Sequence, residues 1–477
     1  MKFITKGPRG VTAACLVLIL SAGCESFLDV ENPASLLDAD LGRPELIQTL
    51  ANTSEGNLAG QLGSLNTRSG MLADELMHPS TQLENIDAMQ GNRLASSSAV
   101  EGHWRDLARG RWLSDEMAVR LAEAVSNPTS NADVANAHFF AGFARIEMAN
   151  HFNVITYGPE DTPKGPIDVL YDAIASFTTA ATIAAAAGDA NLQAAALGQV
   201  ARGYRSLYFE EMHLKNNTDL GLMSQAETAA LSALAASGSY NKSLKFGSPG
   251  GNNSAVGYGG PFSGGLNTVV DGDANLRPAD PVTGLWDPRI PHTSLNNVAD
   301  DTFDIGQGFG FTAVFTKFNQ QDDPLPISRA AEAMLIIAES QLLAGSLQNA
   351  VTRINQVRAD ARSRVSGSDW GGGPSRGWPP VVTPLSDLQD MVYVAGTTTA
   401  ADVYDQIKHE RKVEFFEELR RWADMRYYRI VPARWLAPNV AAGMDLRWPP
   451  APEEIAANPN LTIGQTLKVC IAAGCPG

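Results

Sequence analysis

The stretch Glu410–Tyr428 reads ERKVEFFEELRRWADMRYY, and its reading decides the fold. Cations, carboxylates and large rings alternate through it without a glycine or proline. On a helical wheel of about 100° per residue, Val413, Phe415, Phe416, Leu419, Trp422, Ala423 and Tyr427 share one half. Glu414, Glu417, Arg421 and Asp424 lie opposite. The rings therefore form a packing face. Lys412, Arg420 and Arg426 fall inside that apolar half, where an unpaired cation is costly. They need carboxylate or carbonyl partners, and Glu332 and Glu339 on another C-terminal helix are candidates. The segment reads as a buried docking helix tied by ion pairs, in preference to a catalytic or nucleic-acid-binding one.

Working outward, SRAAEAMLIIAESQLLAG (Ser328–Gly345) and SLQNAVTRINQVRADAR (Ser346–Arg362) form a helical pair. Ala331, Leu335, Ala338 and Leu342 line one face, and Leu347, Ala350, Val351, Ile354 and Val357 its counterpart. Earlier helices are expected over Asp40–Gly60, Glu101–Val125, Asn131–Phe152, Pro166–Ala187, Asn191–His213 and Ser224–Ser237. Residues 65–100 read as polar and irregular. Trp104, Leu107, Trp112 and Met117 recur at helical spacing and are assigned to core. Alanine-rich faces and short breaks suggest antiparallel neighbours. The pairs resemble tetratricopeptide-type hairpins, without a strict 34-residue repeat. Residues 238–325 differ: they are rich in Gly, Asn, Pro and Asp, and FGFTAVFTKF (Phe309–Phe318) is the best strand candidate.

The chain has 477 residues and a formal charge of −16. That acidity argues against broad nucleic-acid binding, which needs basic surface. At the N-terminus, Lys2, Lys6 and Arg9 precede the apolar run VTAACLVLIL (Val11–Leu20). Small residues Ser21, Ala22 and Gly23 then precede Cys24. The run is an export signal, too short for the roughly 20 apolar residues of a span. With its terminal cysteine it resembles a bacterial lipoprotein signal, in which Cys24 carries the lipid. Ser21 stands where such signals usually have leucine. Cys470 and Cys475 remain as a possible disulfide fastening the tail of an exported chain.

Catalytic signatures are missing. There is no Walker A loop, His409-Glu410 lacks the second histidine of HExxH, and GGPFSGG (Gly259–Gly265) fails the spacing of GxSxG. Asp271, Asp273 and Asn275 begin like a calcium loop, but Leu276 and Val282 stand where an EF-hand needs Gly and Glu. No metal or cofactor is expected. Paired carboxylates for glycoside hydrolysis cannot be picked out from spacing alone.

Taken in order, the segments resemble the SusD/RagB-like lipoproteins. CESFLDVENP (Cys24–Pro33) is similar to the lipid-anchored start of that family. AHFFAGFARIEMANHFNVI (Ala137–Ile155) and VLYDAIASF (Val169–Phe177) are similar to its early helices. GLWDPRI (Gly284–Ile290), DPLPISRAAEAMLIIAESQLLAG (Asp323–Gly345) and INQVRADAR (Ile354–Arg362) are similar to later landmarks. ERKVEFFEELRRWADMR resembles its C-terminal signature, and PPAPEEIAANPNLT (Pro449–Thr462) its closing motif. Glu417 replaces a typical Phe in the signature, and Leu419 a typical Gly.

The resemblance implies a mostly α protein with tetratricopeptide-like hairpins and an irregular loop-rich subdomain. Its expected organisation is a signal peptide over 1–23 and one domain over 24–477. Within that domain the helical framework covers about 36–237 and 328–430, with a loop-rich insertion at about 238–325. The resemblance also implies an outer-membrane, lipid-anchored, non-catalytic protein. It would bind an oligosaccharide or peptide and deliver it to a TonB-dependent transporter. The alternatives are an exported helical scaffold with protein partners only, or a glycoside hydrolase. Exposed loop aromatics would stack on sugar faces, which nominates Tyr258, Phe262, Trp286, Trp370 and Trp378. Trp286 also suits a structural role within GLWDPRI.

Overall fold

The computed structural model describes residues 46–76, 83–91, 98–246, 279–285, 287–290, 292–294, 313–315, 323–363, 385, 388–432 and 447–461. The chain separates into two units, Met1–Ile47 and Gln48–Gly477, and apart from Ile47 the elements below belong to the second. In chain order the helices are α1 (Ile47–Leu72), α2 (Leu83–Met89), α3 (Ser98–Ala124), α4 (Ala132–His151), α5 (Pro166–Ala187), α6 (Ala190–Lys215) and α7 (Gly221–Ala236). After strands β1 (Asn241–Leu244), β2 (His292–Ser294), β3 (Ala313–Phe315) and β4 (Leu325–Arg329) come α8 (Ala330–Leu343), α9 (Leu347–Ser363), α10 (Ala400–Glu414), α11 (Arg421–Tyr428) and α12 (Pro452–Ala457). The described fold is mostly helical, with two small antiparallel pairs, β1–β4 and β2–β3. The strand expected within Phe309–Phe318 is β3. Helix α1 runs on to Leu72 and α2 follows, so part of the stretch read as irregular is helical.

Local chemistry sets the hairpins. Asn131 caps α4 by accepting from the backbone N–H groups of Asp133 and Val134. Pro166 sits in the first turn of α5, and Gly188 ends that helix at φ +76°. Asp189 at once caps α6 through the N–H of Leu192. A two-residue break therefore reverses the chain, and α5 and α6 become antiparallel neighbours. Gly345, at φ +80°, ends the α8 turn before α9 in the same way. These reversals set α5 against α6 and build the hairpin α8–α9.

The core is apolar and closely approached. Phe139, Phe140, Phe143 and Phe177 join α4 to α5, with Phe139 and Phe177 edge-on at 5.5 Å. Ala338 and Leu342 of α8 meet Ala350, Val351 and Ile354 of α9, and Val403 and Ile407 of α10 close the cluster. Ala331, Leu335 and Val357 pack with Phe415. The two faces read from sequence are thus opposed in space. Small residues permit this closeness: a Cβ at Gly198 would lie 2.1 Å from the hydroxyl of buried Tyr240. Trp104, Leu107 and Met117 are core, but Trp112 is 55% exposed. It takes the outer side of α3 with Val119, seven residues on, because a helix one-sided at Trp104 and Leu107 turns residue 112 away.

The signature stretch is not one helix. Helix α10 ends at Glu414, Phe415–Leu419 form a turn, and α11 starts at Arg421. Glu417 and Leu419 adopt φ +56° and +63°. Asn66 on α1 holds this turn, donating to the Glu417 carbonyl at 2.8 Å and accepting from the Leu419 N–H at 3.0 Å. The Glu417 N–H donates to Glu75 at 3.1 Å. Left-handed backbone costs a β-carbon residue about 1–2 kcal/mol. The chain bears that cost because the Leu419 side chain is buried in the core.

An unusual ranking follows. Both Leu419→Ala and Leu419→Gly lose the buried side chain, about 2–5 kcal/mol. Glycine also relieves the backbone, so Leu419→Gly is expected to equal Leu419→Ala or exceed it by up to about 1 kcal/mol. Urea melts of the two variants check this. A glycine variant clearly weaker than the alanine one would contradict the left-handed turn.

Candidate functional site

The geometry around Arg358 gathers several distant segments. Its guanidinium, fully buried on α9, donates to both oxygens of Asp280 at 3.0 and 2.6 Å and to Glu410 on α10 at 2.7 Å. Its Nε donates to the carbonyl of Gln389 at 2.6 Å. Arg289 grips Asp287 through Nε and Nη2 at 2.9 and 2.6 Å and also donates to Glu410. His409 contacts Asp287 at 2.8 Å, and Gln406 donates to Glu410 at 2.7 Å. Burial pushes the Asp287 carboxyl up, but Arg289 and His409 outweigh it and hold it well below the carboxylate range. Two guanidiniums thus bridge three carboxylates in a low-dielectric interior, where forked pairing is strongest.

Sequence position gives this knot its interest. Asp280 follows segment 247–278 and Asp287 follows Trp286. Arg358 precedes segment 364–384, and Gln389 follows it. The Arg358 guanidinium therefore joins the downstream flanks of 247–278 and 364–384, and Arg289, which shares Glu410 with it, holds the residue after Trp286. Asn355 reinforces the second flank by pairing its side-chain amide with both the N–H and the carbonyl of Met391, each at 2.9 Å.

Similar pairing continues along α10, the turn and α11. Arg329 reaches Glu414 at 2.8 Å and Glu418 at 3.0 Å. Arg420 pairs with Glu332 at 2.9 Å, the partner expected from sequence. Burial raises Glu332, but Arg420, Arg202 and Arg411 bring it down to about 2. Arg205 bridges Glu339 and Asp424, and Arg411 takes the other oxygen of Asp424. Asp74 receives Lys412 at 2.8 Å and Arg421 at 2.5 Å. Glu210 receives Arg426 and Arg447. The face assigned to solvent by the wheel is therefore buried too. The wheel assumes that charge seeks water, whereas here Glu414, Arg421 and Asp424 each meet an opposite charge.

Two arrangements could pass for chemistry. Asp280, Asp287 and His409 place ligand-type atoms within 4.8 Å of one another. Arg358 and Arg289 already occupy both oxygens of the two carboxylates, so a cation would have to displace an arginine fork. Separately, Ser69 Oγ lies 2.7 Å from His151 Nε2, and His151 Nδ1 lies 3.6 Å from Glu147 Oε2. All three are buried, and Nδ1 is already hydrogen-bonded to the Glu147 carbonyl at 2.8 Å. A serine sealed in the core presents no nucleophile to a substrate.

Cys24, Tyr258, Phe262, Trp286, Trp370, Trp378, Cys470 and Cys475 all lie outside the described residues, as do Asp271, Asp273 and Asn275. What sequence reasoning missed is the Asp280–Arg358–Glu410 knot. The DPR within GLWDPRI and the buried arginine in INQVRADAR were its only signals. Neither spacing reveals that both reach the same carboxylate.

Residues 308–462 match the SusD family. No curated protein matches the chain. Among solved structures it is similar to a SusD homolog from Bacteroides thetaiotaomicron VPI-5482, with TM-score 0.63 and 12% identity over 90% of this chain and 98% of that one. A SusD superfamily protein from Bacteroides vulgatus ATCC 8482 gives TM-score 0.59 and 16% identity over 87% and 97%. A SusD-like carbohydrate binding protein from the same organism gives TM-score 0.54 and 10% identity over 80% and 83%.

Proposed function

We propose that this chain, which belongs to the SusD/RagB-like family, is a non-catalytic outer-membrane lipoprotein that binds an oligosaccharide or another nutrient and delivers it to a TonB-dependent transporter. The observation that carries the reading is the Arg358 knot. Asp280, Gln389 and Glu410 meet on one guanidinium. That arrangement fixes the flanks of the segments bearing Tyr258, Phe262, Trp286, Trp370 and Trp378, the residues proposed to stack on ligand. Rigid scaffolds carrying binding residues on connecting segments are the usual way to hold a ligand without chemistry. A solved relative of the same fold is described as a carbohydrate binding protein, which supports a saccharide as the ligand class. The sealed Ser69–His151–Glu147 constellation fits a protein that captures and does not cleave.

Anchoring is proposed through Cys24, within a domain spanning 24–477. A Cys24→Ala variant expressed in a bacterial host with a lipoprotein pathway is expected to lose lipid labelling and leave the outer-membrane fraction. Full retention of that variant in the membrane would refute the anchor. Affinity purification of the wild type from its native membrane is expected to bring down a large β-barrel transporter. Recovery of soluble proteins only would favour the scaffold reading.

A further inference from the structure

The C-terminal segment Arg447–Leu461 is held by a contact that the binding function does not use. The Trp448 ring stacks with two imidazoles, His103 of α3 at 5.6 Å and 21° and His151 of α4 at 5.7 Å and 27°. Trp422 of α11 also stacks with it, at 6.4 Å. All four side chains are buried. The backbone then knits the segment down: the Trp448 N–H donates to the His151 carbonyl at 2.7 Å, and the Asn153 N–H donates to the Trp448 carbonyl at 3.0 Å. Arg447 Nε donates to the Ala149 carbonyl at 2.9 Å. Further along, Thr156 donates to Glu454, and Asn458 donates to the carbonyls of Gly158 and Asp161 at 3.3 and 3.0 Å.

We propose that Arg447–Leu461 is an acid-releasable clasp, docked only while both imidazoles that stack with Trp448 are neutral. The surroundings give an imidazolium little welcome. His103 Nε2 is buried without a hydrogen-bond partner. The charged side chain that acts on it is the cation Arg68 of α1, which opposes protonation. His151 faces Arg426 of α11, Arg202 of α6 and Arg447 of the clasp itself. Ser69 of α1 and the Glu147 carbonyl hold its two nitrogens. Among the described residues Glu147 is the carboxylate against that ring, with Oε1 paired to Arg202 at 2.9 Å and Oε2 3.6 Å from Nδ1. Glu210 is committed to Arg426 and Arg447. Burial, followed by these cations, holds His151 down to about 3 and His103 well below the histidine range.

The sign is then fixed. Release takes the Trp448 ring from both imidazoles and Arg447 from His151, so each moves up toward its ordinary value of about 6.5, while the docked one stays neutral. Release therefore takes up protons and is favoured as pH falls below about 6.5. Each imidazole contributes up to about tenfold in the docking equilibrium per pH unit. One contact opposes this. Glu453 of the clasp lies within hydrogen-bond reach of Glu101 on α3, and a proton shared there favours docking. That pair is exposed, so the two buried rings dominate.

Hydrogen exchange of the full mature chain between pH 7.5 and 5, corrected for the intrinsic pH dependence of exchange, tests the clasp. Protection over 447–461 is expected to fall with a slope approaching about 100-fold per pH unit below 6.5, while α5 and α6 stay protected. His103→Phe, which keeps a stacking ring, is expected to reduce that slope to about tenfold per unit. Unchanged slope in His103→Phe, or loss of clasp and core protection together, would overturn the proposal. Should His103→Phe not fold, the wild-type imidazole NMR titration decides. A His103 or His151 signal titrating near 6.5 with the clasp still protected contradicts it. Silence of both rings until the clasp opens supports it.

Discussion

Arg358→Ala is expected to lower stability by about 3–5 kcal/mol and to abolish ligand capture. The stability loss follows from what the substitution leaves behind. Asp280 would sit buried without its counter-charge, keeping only the Val282 N–H and the Thr283 hydroxyl at 3.2 Å each, and the Gln389 carbonyl would lose its donor. An uncompensated buried charge costs more than the intact pair ever contributed. Glu410 would keep Arg289 and Gln406, so the penalty centres on Asp280. Arg358→Ala combined with Asp280→Ala should therefore recover part of the loss, which chemical denaturation can measure. Arg358→Lys separates folding from binding. It retains the charge but not the fork, so the flanks at Asp280 and Gln389 can no longer be held together. A folded Arg358→Lys protein with weakened ligand affinity would show that the knot positions the binding segments. Full affinity in that variant would restrict Arg358 to a structural role.

Asp74→Asn is expected to cost a similar 3–5 kcal/mol or so. The change is nearly isosteric, so packing is preserved and only charge is removed. Lys412 and Arg421 both lie on that carboxylate at the junction of α1 with the signature turn. Burial raises the Asp74 carboxyl, but Arg421 and Lys412 outweigh it and hold it far below its ordinary value. The pH dependence has a definite sign. A depressed carboxylate contributes its stability fully above the unfolded value of 3.8 and loses it as pH falls below that value. The gap between wild type and Asp74→Asn should therefore be flat from about pH 5 to 8 and shrink below about 4. A gap that widened in acid would contradict the pairing.

Much of the framework was legible because apolar periodicity reports burial directly. The α8 and α9 faces, Pro166 opening α5 and the alanine-rich hairpins were all read from spacing. Three things were not. The break between α10 and α11 has no proline or glycine to announce it, because Leu419 takes a left-handed conformation that usually belongs to glycine. Its cause is tertiary: Asn66, some 350 residues away in sequence, pins the turn. Trp112 was assigned to core because wide aromatic faces resemble packing faces, yet its angle on α3 points it outward. The burial of Glu414, Arg421 and Asp424 was hidden because a wheel ranks residues by polarity and cannot see distant partners. Of the binding region, sequence could nominate the aromatics but not the arginine knot between their segments. That knot depends on Asp280, Arg358 and Glu410 meeting in space.

The central claim is capture without chemistry. Isothermal titration of the purified mature protein against a panel of oligosaccharides and peptides, with product analysis of each mixture, tests it most directly. Saturable binding of at least one ligand class is expected, weakened in Trp370→Ala or Trp378→Ala, with the ligand recovered intact. Cleaved ligand, or no saturable binding anywhere in the panel, would contradict it.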